Sequence, residues 1–263
     1  MPVDILHWSL SKFQTFILIL MRVVPLLFLM PILNSRSFPG LVKVGLAFMT
    51  SLVLLPLVKI DPAHLPLDPW QFAIFLAAET MIGFILALAV NLVFAGIQFG
   101  GELVGFQMGL SVAQVIDPQS GVDSGILSQF YYFLGVLIFL AINGHHWFFR
   151  ALSESFQLLA PGEIHLAPGL YQHFLHLAGN MFVIAIKMAA PVMAVLIFTQ
   201  IALSILAKAV PQVNILMTSF PLTISLGFFF LGLSIELFLP YFQTLFENSG
   251  RGLGGTLLPL MQR

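Results

Sequence analysis

The sequence contains no cysteine and few charged residues. Of its 263 residues, 10 are Lys or Arg and 11 are Asp or Glu, and the formal net charge is −1. The absence of cysteine excludes disulfides, thiolate nucleophiles and cysteine-ligated zinc. The basic residues occur singly along the chain, so there is no basic patch that would bind a nucleic-acid backbone.

The sequence has a high proportion of apolar residues. They make up 59% of the chain, and charged residues only 8%, whereas a soluble domain has about half apolar and about a quarter charged residues. The apolar residues occur in long blocks, which would leave apolar helices facing water in a soluble monomer. We therefore exclude a soluble globule and expect a bilayer, or other hydrophobic proteins, to cover the chain.

Six hydrophobic stretches approach or exceed the roughly 20 residues that a membrane-spanning helix needs. Prolines lie inside or near the ends of several of them, which predicts kinked helices. The segment after Glu247 is rich in glycine, and we expect a mobile tail there. The sequence thus predicts an all-α fold with about six membrane-type segments. They cover residues 13–33, 41–58, 72–99, 126–142, 174–206 and 215–246.

Four charged residues lie inside these hydrophobic stretches, namely Arg22, Glu79, Lys187 and Glu236. Each would cost roughly 3 kcal/mol if it faced the hydrocarbon of a bilayer, so we expect them to face protein or water. Their formal charges sum to zero. Two interpretations remain open: the four residues pair or snorkel within a helix bundle, or they line a polar conduit or contact another subunit.

The segment 100–125 combines glycine with soft apolar side chains. Gly101, Gly105 and Gly109 recur every four residues, and a helix would place them on one stripe that a second helix approaches closely. The same segment carries the apolar residues Phe106, Met108 and Leu110 and ends at the turn signal Asp117-Pro118. It therefore also suits a flexible apolar loop that plugs a channel. Hydropathy alone does not decide between a helix with a stripe of small residues and a loop that plugs a channel.

No catalytic, cofactor-binding or metal-ligand pattern stands out. A zinc-protease helix, a nucleophile elbow and a phosphate-binding loop are all missing from the sequence, and the pairs His145-His146 and His173/His176 would need further ligands to hold a metal. We expect a non-enzymatic protein without cofactor. Two rivals are a stand-alone secondary transporter for a small solute, which broken helices and intramembrane charges would suit, and an intramembrane hydrolase that uses the histidines.

Four separated motifs give the sequence a family resemblance. In their order and spacing over residues 12–246 they resemble the flagellar export protein FliR family of bacteria, which has counterparts in injectisome type III secretion systems. The residues that carry the resemblance are Glu102, Gln107, Met108, Gly109, Leu110 and Ser111 with Asp117 and Pro118; Asn143 to His146; Ala190-Pro191; and Pro211, Gln212 and Asn214 with Phe220-Pro221-Leu222.

The resemblance implies a subunit of an export gate. It implies assembly with FliP and FliQ subunits and association with FlhB, in the flagellar basal body at the bacterial inner membrane, where the gate passes unfolded flagellar proteins. It also implies kinked helical hairpins. A FliP-like part at about 1–170 would be fused to a FliQ-like hairpin at about 171–250, and residues 251–263 would form the mobile tail.

For the glycine-rich segment the resemblance favours the loop over the stripe. It implies that residues from Phe106 to about 121 contribute to a plug at the constriction of the pore. The plug or gasket residues would be Phe106, Gln107, Met108, Gly109, Leu110 and Ser111.

Overall fold

The computed structural model describes residues 2–33, 38–58, 65, 66, 68–110, 125–159, 161, 162, 168–210 and 215–261. Every regular element in these residues is helical, which confirms the all-α prediction. Each of the six hydrophobic stretches has its own helix. The helices are α1 (Pro2–Leu29), α2 (Gly40–Leu54), α3 (Pro69–Met108), α4 (Ile126–Ala141), α5 (His145–Leu158), α6 (Pro168–Ala209), α7 (Ile215–Gly252), a π-helical turn (Leu253–Leu257) and α8 (Leu258–Met261).

Several helices have the length and composition of membrane spans. Among the described residues four qualify, and a fifth does if α4 and α5 form one bent span; α2, with 15 residues, is shorter. With 40 residues, α3 is about 60 Å long, twice the roughly 30 Å of a hydrocarbon core. The four qualifying segments are Leu10–Leu29, Pro69–Met108, Gly169–Ala209 and Ser219–Met261.

The first of two compact units consists of Met1–Asn91, Asn143–Leu177 and Glu247–Arg263. Here α1 packs on α2, and the rings of Phe16 and Phe48 meet edge to face with centroids 5.2 Å apart. The middle of α3 contacts the end of α1, because the Asn91 side-chain amide donates a hydrogen bond of 2.6 Å to the Leu29 carbonyl.

Helix α5 and the C-terminal segment also belong to the first unit. Hydropathy alone does not predict α5 because it is amphipathic; its buried residues Phe148, Ala151, Leu152 and Ser155 follow a helical i, i+3, i+4, i+7 spacing. Helix α5 packs against the π-helical turn and α8.

The structure describes residues 251–261 of the segment that was predicted to be a mobile tail. Residues 251–261 are helical, and four apolar side chains in them are buried. The glycines at 252, 254 and 255 predict mobility, but the apolar residues among and after them are spaced to lie on one helical face, and burying that face stabilises the helix. The buried side chains are Leu253, Leu257, Leu258 and Met261.

The second unit consists of Leu92–Ile142 and Ala178–Phe246. An aromatic cluster forms its core: Phe94, Phe139 and Phe246 have ring centroids between 5.0 and 5.6 Å apart. Tyr131 and Phe238 extend the cluster with a centroid distance of 5.5 Å. Such aromatic pairs contribute beyond the area that they bury.

Small residues let α3 approach two neighbours in the second unit. A Cβ at Gly96 would lie 2.7 Å from the Met181 carbonyl oxygen on α6, and a Cβ at Gly101 would lie 2.7 Å from the Leu127 carbonyl oxygen on α4. Both distances are too short for a side chain, so the backbones touch only because these positions are glycine. As far as Gly105, the small-residue stripe is part of a helix.

Candidate functional site

The predicted plug segment begins at the C-terminal end of α3. Phe106, Gln107 and Met108 form the last turn of this helix, and the turn at Gly109 ends it with a φ of 84°. The Gly109 amide donates to the Phe106 carbonyl and the Leu110 amide donates to the Gly105 carbonyl, both at 3.0 Å. This is a Schellman cap, which needs a left-handed residue and favours glycine at that place.

The end of α3 is held by α7. Met108 is fully buried, and its side chain occupies the space that a Cβ at Gly227 would need. The Thr223 hydroxyl lies within hydrogen-bond distance of the Met108 carbonyl oxygen, at 3.1 Å, and of the Ser219 and Phe220 carbonyl oxygens of its own helix, at 3.0 and 3.2 Å. We call Met108, Gly109, Phe220, Thr223 and Gly227 the plug anchor.

Phe220 completes the plug anchor by packing against the turn. Two carbons of its ring would be 2.7 Å from a Cβ at Gly109. The left-handed backbone and the aromatic ring thus both select glycine at this position. The backbone at Gly109 is therefore held in place at the end of α3.

An open cleft of about 380 Å³ lies beside the plug anchor, between the ends of α3, α6 and α7. Within it the Gln107 side-chain amide donates to the Gln200 side-chain oxygen at 3.1 Å. Phe106 is 71% exposed and contributes to the cleft wall. The sequence reasoning missed Gln200, Thr223 and Gly227; the polar residues stand out inside apolar helices, but nothing in the sequence connects them to residue 108.

Arg22 and Glu79 form a buried ion pair in the first unit. The Arg22 Nε lies 2.5 Å from Glu79 Oε2, and Nη2 lies 3.0 Å from Oε1. Both side chains have no solvent exposure. These two charges thus neutralise each other within the chain.

The remaining polar atoms of the pair reach α5 and the residues that follow it. Arg22 Nη1 donates to the Ser155 hydroxyl at 3.1 Å, and the Gly162 amide donates to Glu79 Oε1 at 3.0 Å. The Phe156 ring lies 4.1 Å from the guanidinium carbon. One ion pair thereby joins α1, α3 and the end of α5, with its hydrogen-bonding groups satisfied as burial requires.

The other two charges predicted to be buried or to contact another subunit, Lys187 and Glu236, are exposed on this chain, and a role in subunit contacts stays a prediction. The Lys187 ammonium lies 5.8 Å from the Tyr241 ring centroid. The motif residue Glu102 is also exposed. Ser111, Asp117, Pro118, Pro211, Gln212 and Asn214 lie outside the described residues.

Comparison with known proteins supports the resemblance seen in the motifs. Residues 13–249 match the family described as bacterial export proteins, family 1. Flagellar biosynthetic protein FliR of Escherichia coli strain K12 is 32% identical over 230 residues, 87% of each chain. FliR of Pectobacterium carotovorum is 31% identical over 248 residues, 93% of this chain and 92% of its own, and FliR of Bacillus subtilis is 31% identical over 84% of this chain and 86% of its own. The chain therefore belongs to the FliR family of bacterial export proteins.

Proposed function

We propose that the chain is a non-enzymatic subunit of the flagellar type III export gate. It would lie in the basal body at the bacterial inner membrane and form, with FliP, FliQ and FlhB, the channel through which unfolded flagellar proteins pass. Family membership supports the flagellar export role, and the long apolar helices support a place in the membrane. Energy for transport would come from other components.

The exposed apolar surface supports assembly with other subunits. Most of α6 and α7 is not buried by the chain itself, and Phe198 and Phe229 are 72% and 62% exposed. Contiguous apolar patches of this kind mark protein or membrane contacts. We propose that residues 171–250, which hold nearly all of α6 and α7, are the FliQ-like hairpin, and that residues 1–170 are the FliP-like part.

The observation that carries the plug mechanism is the fixed end of α3. The plug anchor holds Met108 and Gly109 within the first turn of the predicted plug, while Phe106, its first residue, remains exposed. We propose that the segment from Phe106 to about residue 121 seals the resting channel sterically against ions and water. An entering export substrate would displace the part of the segment that follows Met108 and Gly109, while these two anchored residues stay in place.

Deleting residues 107–113 in cells that express the complete gate tests this proposal. We expect the deletion to raise the ion conductance of the membrane, because the seal loses its apolar side chains. Gly105→Ala serves as the control, since it changes the same helix where a Cβ makes only an ordinary contact of 3.6 Å with Leu127. Unchanged conductance together with intact export would rule out the plug.

A further inference from the structure

Helix α7 presents an exposed face that contains a carboxylate. Ser225, Phe229, Gly232, Glu236 and Gln243 are all exposed, and their spacings of four, three, four and seven residues place them on one side of the helix. We call these five residues the outer face of α7. The buried residues of α7, such as Leu231, Phe238 and Phe242, lie on the opposite side.

The outer face has the features of a seam between two helices. Its residues are separated by three, four or seven positions, and helices that pack side by side along their length contact each other through residues with this spacing. Small residues stand seven apart at Ser225 and Gly232, and a Cβ at Gly232 would have no atom within 4 Å. A second helix would therefore approach closely there, as small residues permit in membrane proteins.

Glu236 is not neutralised within this chain. In the described residues no ion pair or hydrogen bond involves its carboxylate, and the exposed residues around it, Leu233 and Leu237, are apolar. Lys187 does not supply the missing cation, because its ammonium lies over the Tyr241 ring. A carboxylate at this place in an apolar helix is unfavourable against hydrocarbon, and its short side chain does not reach far toward water.

We propose that the outer face of α7 docks an apolar helix of a neighbouring gate subunit that carries a lysine or arginine opposite Glu236. The inference rests on the proposed function and deepens it. The apolar residues would supply contact area, and the single charge pair would fix which helix binds and in which register. A lone polar residue in an apolar seam has this effect in coiled coils.

Charge substitution in the intact apparatus tests the need for the carboxylate. Glu236→Lys should lower the amount of sibling subunits that co-purify with the tagged chain about tenfold or more, and Glu236→Gln should lower it less. Glu247→Lys is the matched control, because Glu247 is exposed on the same helix but pairs with Arg251 at 3.5 Å. Wild-type recovery with Glu236→Lys would overturn the inference. Failure of the unaltered chain to co-purify any sibling would instead overturn the proposed function.

Photocrosslinking identifies the helix that docks on the outer face of α7. It does not depend on a charge variant, which could fail to fold. A photoreactive amino acid at position 236, in cells that express all gate components, should form one adduct with a sibling subunit. Replacing the basic residue nearest the crosslink by glutamate should restore co-purification with Glu236→Lys. An adduct with a second copy of this chain, or lipid adducts without any protein adduct, would overturn the inference.

Discussion

Arg22 on α1 and Glu79 on α3 form a bidentate ion pair that is completely removed from solvent. The pair also receives the Gly162 amide and donates to Ser155, so it organises a segment far along the chain. Removing two charges from water is costly, and the arrangement is tolerable only because each charge has a partner. Loss of either partner should therefore have a larger effect than loss of an exposed pair.

We expect Arg22→Gln and Glu79→Gln each to destabilise the chain by about 3–5 kcal/mol, because each leaves a buried charge unpaired. The measurement is thermal unfolding of the purified complex in detergent, together with the amount of chain in membranes. The double variant Arg22→Met with Glu79→Leu should recover part of the loss, since it removes both charges.

Arg150→Gln is the control for this prediction. Arg150 pairs with Glu154 at 2.8 Å, but its side chain is 79% exposed, and such pairs contribute about 0–1 kcal/mol. Equal effects of the Arg22 and Arg150 substitutions would contradict the importance of the buried pair.

Gly109→Ala should weaken the plug anchor. A left-handed backbone costs a residue with a Cβ about 1–2 kcal/mol, and the Phe220 ring must also move. We expect increased ion conductance of membranes that contain the gate, with the chain still present at near-normal levels. Gly105→Ala, four residues earlier, should leave the ion conductance unchanged. An equal increase in conductance with both variants would contradict a role of the Gly109 turn in the seal.

Gly101→Ala should disturb the contact between α3 and α4. Its Cβ would be 2.7 Å from the Leu127 carbonyl oxygen and 2.9 Å from Ser128 Cα, and backbone atoms cannot yield as a side chain does. Overpacking of this kind costs roughly 1–3 kcal/mol. Lower thermal stability of the complex is the expected readout. Gly179→Ala, whose Cβ would meet no atom within 4 Å, should be neutral or slightly stabilising.

Leu257→Ala should destabilise the C-terminal segment, because the Leu257 side chain is only 1% exposed. Large-to-small changes at such positions cost about 2–5 kcal/mol. Hydrogen exchange of the amides in α5 and α8 should become faster. Thr256→Ala changes an exposed neighbour and should leave the exchange rates within error; fast exchange in the unaltered chain would contradict a packed C-terminal segment.

The sequence by itself determined the helical class and the positions of the long helices, because hydrophobic runs of this length have few alternatives in an apolar environment. It also determined the family, through motifs spread from Glu102 to Leu222. It did not determine helix α5 or the packed C-terminal segment. In both, the apolar residues form one face of a short helix among polar or glycine residues, and packing rather than composition stabilises such helices.

Only the tertiary structure decided which charges are paired. The sequence shows four charges of zero sum, but Arg22 and Glu79 meet across 57 positions, while Lys187 and Glu236 remain on the surface of the chain. Likewise, Gly101 and Gly109 belong to one pattern that repeats every four residues. Gly101 lets α3 contact α4, whereas Gly109 ends α3 with a left-handed backbone. The reason is physical: spacing along the chain fixes which face of a helix a residue occupies, but only the neighbouring helix fixes what that face meets.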